Sequence, residues 1–323
     1  MKKYKVSIIV PVYNAQKYIK KCMDSILRQV NNEYEVLVLN DGSIDDSEKL
    51  LREYENKYPN IVRVISKKNE GIAKTRNLGI KEAQGDYVCF VDNDDFVDDN
   101  YFDVLYNSIQ SGYDIVIGGY RRVTIDKIQF QVTPKNSEWY RYIMMAPWAK
   151  MYKRDFLLEN KIEFLDYGLG EDVYFSLLAY SCTDKIKIID YIGYNWYFNN
   201  ESVSNTSQKG FNKELDPVFL LNKIYERIGK KKEEYSYFYV RYGIWYLLFS
   251  GRYAESNDFV KEYKNLFSWY KSKEIKIKFP LLSKKTEGET KSVKLAIGLF
   301  IIIHKLGLTR VFANIYCKGR IAS

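Results

Sequence analysis

Three carboxylates, Asp92, Asp94 and Asp95, fall within four residues, directly after the apolar run Tyr87-Val88-Cys89-Phe90-Val91. Like charges this close repel, at a cost in free energy unless hydrogen-bond donors or a cation offset it. An Asp-x-Asp of this kind can hold a hard divalent cation, and the cation can bridge the oxygens of a diphosphate. A solvated acidic turn that caps the next helix is the other reading of the same residues. A second acidic string, Gly168-Leu169-Gly170-Glu171-Asp172-Val173, sets two carboxylates at the start of a helical pattern. A helix N-terminus favours carboxylates whether or not they do chemistry.

The elements that must position these acids follow from the apolar periodicity. Residues 5–12, 34–39 and 61–66 read as buried strands, and residues 16–29, 45–58 and 69–83 read as helices between them. With the strand that runs into Asp92, this is β-α-β-α-β-α-β, the pattern of a doubly wound, mostly parallel sheet in an α/β fold. Tyr13, Asp41, Asn69 and Asp92 then all lie just past strand carboxyl ends, where the ligand crevice of such a sheet is expected. Asp41 can accept from a nucleobase N–H, or serve its own Asp-Gly-Ser turn. Arg76 can reach a nucleotide phosphate or base, or pair with a surface acid such as Glu82. Further on, residues 100–111 read as a helix, 113–123 and 125–132 as a hairpin, 185–198 as a strand pair, and the chain from 211 as helical.

Four stretches carry a more specific signal: Val-Pro-Val-Tyr-Asn at 10–14, Asn-Asp-Gly-Ser-x-Asp-Asp-Ser at 40–47, Asn-x-Gly-x-x-x-x-Arg-Asn at 69–77 and Phe-Val-Asp-x-Asp-Asp at 90–95. In this order and spacing they resemble the catalytic domain of glycosyltransferase family 2, of the GT-A fold, over about residues 4–205. The resemblance implies a nucleotide-sugar site formed by Pro11, Val12, Tyr13, Asp41, Asn69, Arg76, Asp92 and Asn93. It implies Mn²⁺ or Mg²⁺ held by Asp94, with Asp92 near both ribose and metal. Asn93 stands where the family usually has Ser. Trp148, Lys150 and Tyr152 resemble the family's Trp-x-Lys-x-Tyr segment near the site floor, although a core strand anchored by Trp148 reads equally from the residues. The Glu-Asp string resembles the motif whose Asp is the family's proposed catalytic base. That role falls here on Asp172, with Glu171 beside the acceptor or donor sugar. The Gln-x-x-Arg-Trp motif of processive members is absent, which implies addition of single sugars.

The resemblance divides the chain into a catalytic domain at 1–205 and a helical region at 206–323. Residues 271–323 hold twelve basic and three acidic side chains, which accounts for the whole net charge of +9. The stretch Leu295–Ile303 is apolar, flanked by Lys291, Lys294 and Lys305, and shorter than the roughly 18 residues that span a bilayer. It reads either as a helix lying on an anionic membrane surface or as a helix docked on its neighbours with a solvated basic face. Cys22, Cys89, Cys182 and Cys317 are scattered without metal-site spacing, as in reduced cytosolic proteins, and a strand pattern from Val6 is not that of a secretory signal. The expected partners are a nucleotide-sugar donor, a glycan acceptor of lipid-linked or protein-linked type, and the inner membrane surface, with no nucleic acid. A sugar-1-phosphate nucleotidyltransferase would share the sheet but needs a Gly-rich, Lys-containing N-terminal loop that is missing. A non-catalytic binding protein would not need Asp92, Asp94 and Asp172 together.

Overall fold

The computed structural model describes residues 4–134, 137–199, 210–212, 214–230, 233–278 and 286–319. The chain forms two compact units. One comprises Met1–Asn136, Met144–Tyr167 and Glu171–Asn199, the other Ser137–Ile143, Gly168–Gly170 and Asn200–Ser323.

The first unit is built on one sheet. Its elements are β1 (Tyr4–Val12), α1 (Ile19–Leu27), β2 (Tyr34–Asp41), α2 (Ser47–Lys57), β3 (Val62–Lys67), α3 (Ile72–Glu82), β4 (Gly85–Phe90), β5 (Phe96–Val97), α4 (Tyr101–Ile109), β6 (Ile115–Val123) and β7 (Ile128–Val132). A short helix of the second unit, α5 (Tyr140–Ile143), intervenes before β8 (Lys150–Lys153), α6 (Arg154–Glu159), α7 (Glu171–Cys182) and β9 (Ile186–Tyr197). The strand order is β3-β2-β1-β4-β8-β6-β9-β5, with β7 on β6. The first four strands pair with one another in parallel, as their helical crossovers require. Every residue of β2 is buried, which is why its centre, residues 36–39, reads as a continuous apolar run and not as an alternation. Beyond β4 the sheet turns mixed: β8 is antiparallel to both β4 and β6, while β9 is parallel to β6 and antiparallel to β5.

Residues 185–198 therefore form one strand and not the expected pair. Ile117 pairs Ile188 and Gly119 pairs Ile192, so β9 carries extra residues around Asp190. Such an irregularity bends a strand without reversing it. Fourteen of the 30 tyrosines are buried, and Tyr101, Tyr152, Tyr180 and Tyr194 are among the largest side chains wholly out of water.

The helix α3, which carries Arg76, lies very close to the sheet. A Cβ at Gly79 would stand 2.6 Å from Ile9 Cγ2 and 2.9 Å from Leu39 Cδ1. Only a residue without a side chain lets the helix seat so deeply.

The second unit holds α8 (Pro217–Ile228), α9 (Glu233–Gly251), α10 (Ser256–Ser272), α11 (Lys291–Lys305) and α12 (Thr309–Tyr316). Asp216 caps α8 by accepting from the Val218 N–H at 2.8 Å, with Pro217 at the first helical position. Trp269 Nε1 donates to Asn222 at 2.7 Å, and the Tyr270 hydroxyl donates to the Tyr239 carbonyl at 3.0 Å. The stretch Ser137–Ile143 joins this unit through Trp139. Its indole N–H donates to the buried Glu289 at 3.1 Å, and Glu289 also pairs with Arg241. A linear boundary near 205 cannot show that. Lys271, the first residue of the basic stretch 271–323, is still helical in α10; residues 279–285 and 320–323 of that stretch, and residues 200–209, lie outside the described residues.

Gly79→Ala should lower stability by about 1–3 kcal/mol through overpacking, read as a fall in the urea midpoint followed by far-ultraviolet circular dichroism. An unchanged midpoint would mean that α3 rides up on the sheet without cost.

Candidate active site

The residues past the parallel strands converge at one edge of the sheet. Asn93 Nδ2 donates to the Pro11 carbonyl at 2.9 Å and so ties the acidic turn to the end of β1. Pro11 and Val12 are buried, whereas Tyr13 is 48% exposed and open to a ligand. Asn14, at a positive φ of 48°, accepts from the Ile44 N–H at 2.9 Å and joins the first two loops. Asp41 is committed within the protein. Its two oxygens accept from the N–H groups of Glu70 and Gly71, each at 2.9 Å, and Lys67 pairs with it. It thus holds the loop that opens α3, with exposed Asn69 in that loop.

The acidic turn divides its labour. Asp95 is buried, accepting from the Tyr194 hydroxyl at 2.6 Å and the Tyr197 N–H at 2.8 Å. The Asp92 N–H donates to the same Tyr194 oxygen at 3.2 Å, so one phenol braces both ends of the turn. Asp94 is the carboxylate left for a ligand. Burial, then the charge of Asp92, pushes its pKa up to about 6, with a hydrogen bond from Asn199 and the charge of Arg122 acting the other way. Among the described residues no three His, Cys, Asp or Glu side chains form a ready cage for an ion. A half-buried carboxylate destabilised by its neighbours fits a divalent cation that takes its remaining ligands from water and phosphate, as Mg²⁺ commonly does.

Arg76 is the hub. It is 4% exposed, and it reaches Asp92 Oδ1 from Nη2 at 2.8 Å and Asp172 Oδ1 from Nη1 at 2.6 Å, with Glu171 3.7 Å away. These partners lie 16 and 96 residues from it in the chain. The surface pairing with Glu82 does not occur; Glu82 meets Arg63 instead. Burial opposes the charge on Arg76, but Asp172, Asp92 and Glu171 outweigh it and hold the guanidinium firmly protonated. Burial raises the Asp172 pKa, Arg76 lowers it, and the balance lies upward. Asp172 Oδ2 has no hydrogen-bond partner among the described residues, so one oxygen is anchored and the other is available.

Trp148 and Lys150 form the wall behind the site. Trp148 is 7% exposed and stacks on Tyr194, with ring centres 4.6 Å apart and planes 3° from parallel. Lys150 is wholly buried and donates to the carbonyls of Met144, at 2.8 Å, and Ala146. Burial lowers its pKa to about 7, and the charge of Asp172 partly opposes this.

Sequence reasoning missed three contributors. Asn77 exchanges two hydrogen bonds with the backbone of Phe164, at 2.8 and 2.7 Å, and so fixes the segment that leads towards the Glu-Asp string. Tyr194 was hidden in an aromatic run. Arg122 lies over Trp196, 3.5 Å from the ring centre, and its Nη1 has no hydrogen-bond partner. The signal for Arg122 was the Arg-Arg pair ending the otherwise apolar β6: alternation sends Arg121 to Asp98 and Arg122 towards Asp94 and Asp95.

Comparison with known proteins agrees with this geometry. The model of the family described as Glycosyl transferase family 2 matches residues 7–165. The uncharacterized glycosyltransferase EpsJ of Bacillus subtilis is 32% identical over 223 residues, 63% of this chain and 64% of EpsJ. The poly(ribitol-phosphate) beta-glucosyltransferase of Bacillus spizizenii is 31% identical over 204 residues, 60% of this chain and 32% of that protein. The chain thus spans about one third to two thirds of these relatives. Residues 1–349 of S. aureus TarS, solved in complex with UDP-GlcNAc, superpose with a TM-score of 0.66 at 20% identity, covering 94% of this chain and 92% of that one, which shows the same fold. With the family's motifs assembled on a GT-A sheet, residues 7–165 of the chain form a domain of glycosyltransferase family 2.

Proposed function

We propose that this protein transfers a sugar from a nucleotide-sugar, a UDP-sugar by preference, to an acceptor hydroxyl with inversion at the anomeric carbon, in the assembly of a bacterial surface polysaccharide or glycoconjugate. The observation that carries this reading is the joining of Asp92 and Asp172 on one guanidinium. It sets the diphosphate-side turn and the Glu-Asp string side by side, as a displacement between a leaving diphosphate and an activated hydroxyl requires. The UDP-GlcNAc held by TarS supports a UDP donor, and the poly(ribitol-phosphate) relative supports an acceptor on a polymer. A lipid-linked glycan at the cytoplasmic membrane face is the acceptor proposed here, with a protein-linked glycan as the alternative.

In this reading Asp172 Oδ2 takes the acceptor proton while Arg76 keeps Oδ1 in place. The acceptor oxygen attacks the anomeric carbon, and the bond to the diphosphate breaks with its electron pair on the phosphate oxygen. Burial makes Asp172 a stronger base than a solvated aspartate, and the charge of Arg76 limits that rise. In the same reading the exposed Tyr13 covers the nucleobase. A divalent cation at Asp94 would supply charge neutralisation for the departing diphosphate, and Arg122 adds fixed positive charge on the same side.

Asp172→Asn preserves shape and removes the base. Turnover should fall by about 10²–10⁴-fold, the usual range for general-base catalysis, with UDP affinity by calorimetry almost unchanged. Glu171→Gln, at 3.7 Å from Arg76, should cost less. Near-normal turnover in Asp172→Asn together with loss in Glu171→Gln would reverse the two roles.

Removal of divalent cations with EDTA should abolish sugar transfer, and Mn²⁺ or Mg²⁺ should restore it. Asp94→Ala should lose the metal-dependent gain in UDP affinity while keeping its circular dichroism spectrum. Full turnover in EDTA would sink the metal assignment.

A further inference from the structure

The helices α11 and α12 of the second unit have two unlike sides. The inner side is packed. Ile297, Phe300 and Ile301 are buried, the Phe300 ring meets Phe312 at 5.5 Å and Phe259 at 6.2 Å, and the Tyr263 hydroxyl and His304 Nδ1 lie 2.7 Å apart. This is the docked helix that the sequence offered as one alternative. The outer side is also apolar. Leu295, Leu299, Ile302 and Leu306 are 51, 51, 41 and 64% exposed, at spacings that align them along one side of the helix. Val311 and Ile315, 54 and 80% exposed, extend the apolar surface onto α12.

The charge carried by α11 and α12 themselves has one sign, and Glu255 lies near Cys317 and Gly319, past the end of α12. Lys291, Lys305, Arg310 and Lys318 are exposed, Lys294 is half-buried, and no acidic residue occurs between Thr290 and Gly319. An exposed aliphatic stripe with a predominantly cationic rim matches a surface that is apolar within and anionic at its edge. A second copy of the same face would bring cationic rim against cationic rim, which like-charge repulsion opposes. The described helices include none long and apolar enough to cross a membrane, so the fit is to a surface and not to a span.

We propose that α11 and α12 form a docking face for anionic lipid, with Leu295, Leu299, Ile302 and Leu306 entering the headgroup boundary and the basic rim lying on lipid phosphates. The docked and membrane-lying alternatives are then two sides of one helix. The inference is independent of the catalytic reading, because its test uses no substrate.

The test is co-sedimentation of the full chain with vesicles of phosphatidylcholine alone and of phosphatidylcholine containing phosphatidylglycerol. The expected result is binding to the anionic vesicles, weakened by salt. Leu299→Glu with Leu306→Glu alters the outer stripe alone and should lower the partition coefficient at least about tenfold, since it sets two charges at the interface. Lys291→Gln with Lys305→Gln should lower it by roughly fivefold per residue and flatten the salt dependence. Both variants should keep the wild-type circular dichroism spectrum and melting temperature. Absence of vesicle binding, or binding that survives both variants, overturns the proposal. So does a concentration-dependent dimer in sedimentation velocity that Leu299→Glu/Leu306→Glu dissolves, since a second copy would then cover this face.

Discussion

The guanidinium of Arg76 is almost wholly removed from water, and a buried cation is costly unless carboxylates of good geometry surround it. Here Asp92 and Asp172 do so, with Glu171 slightly farther away. The constraint acts in both directions. The acids need the cation as much as it needs them, because the turn at 92–95 and the start of α7 would otherwise place carboxylates near one another without compensation. One side chain on α3 therefore fixes the relation between two motifs that the chain keeps far apart. Its own position depends on Gly79 seating α3 on the sheet and on Asn77 pinning the backbone at Phe164.

The second support is aromatic. Tyr194 uses one hydroxyl to donate to Asp95 and to accept from the Asp92 N–H, while its ring stacks on Trp148. The acidic turn thus rests on a rigid ring and not on solvent. This separates the three acids by role: Asp92 faces Arg76, Asp95 seals the turn, and Asp94 retains capacity for a ligand. A site built this way holds its charges before any substrate arrives, which is the preorganisation that charge-separating reactions exploit.

The helical unit shows the same economy on its surface. A single helix, α11, stabilises the bundle through Phe300 and Ile301 and leaves Leu299 and Leu306 to solvent. A helix apolar on two sides needs two apolar neighbours, and the bundle supplies one.

The chemistry-bearing stretches were legible in the sequence, as were the four parallel strands that carry them. Buried strands read as apolar runs, and loops at their carboxyl ends read as polar and Gly-rich, so the information is local. Asp41 was legible only as a residue of the crevice; that it caps the loop opening α3 depends on β3 lying beside β2. The single strand at 186–197 was not legible, because an irregular stretch around Asp190 resembles a turn until its partner β6 is known. Nor was the pairing of Arg76, since nothing near it in the chain names Asp172. Arg122 and Lys150 were charges in apolar strands, and only their neighbours could say that one lies on Trp196 beside Asp94 while the other braces a loop from behind the site. Residue types and local spacing thus determined which groups could do chemistry and the strands that present them. Which charges meet, and which are shut away, was decided by packing, because Coulomb interaction and burial depend on distances that long-range contacts alone set.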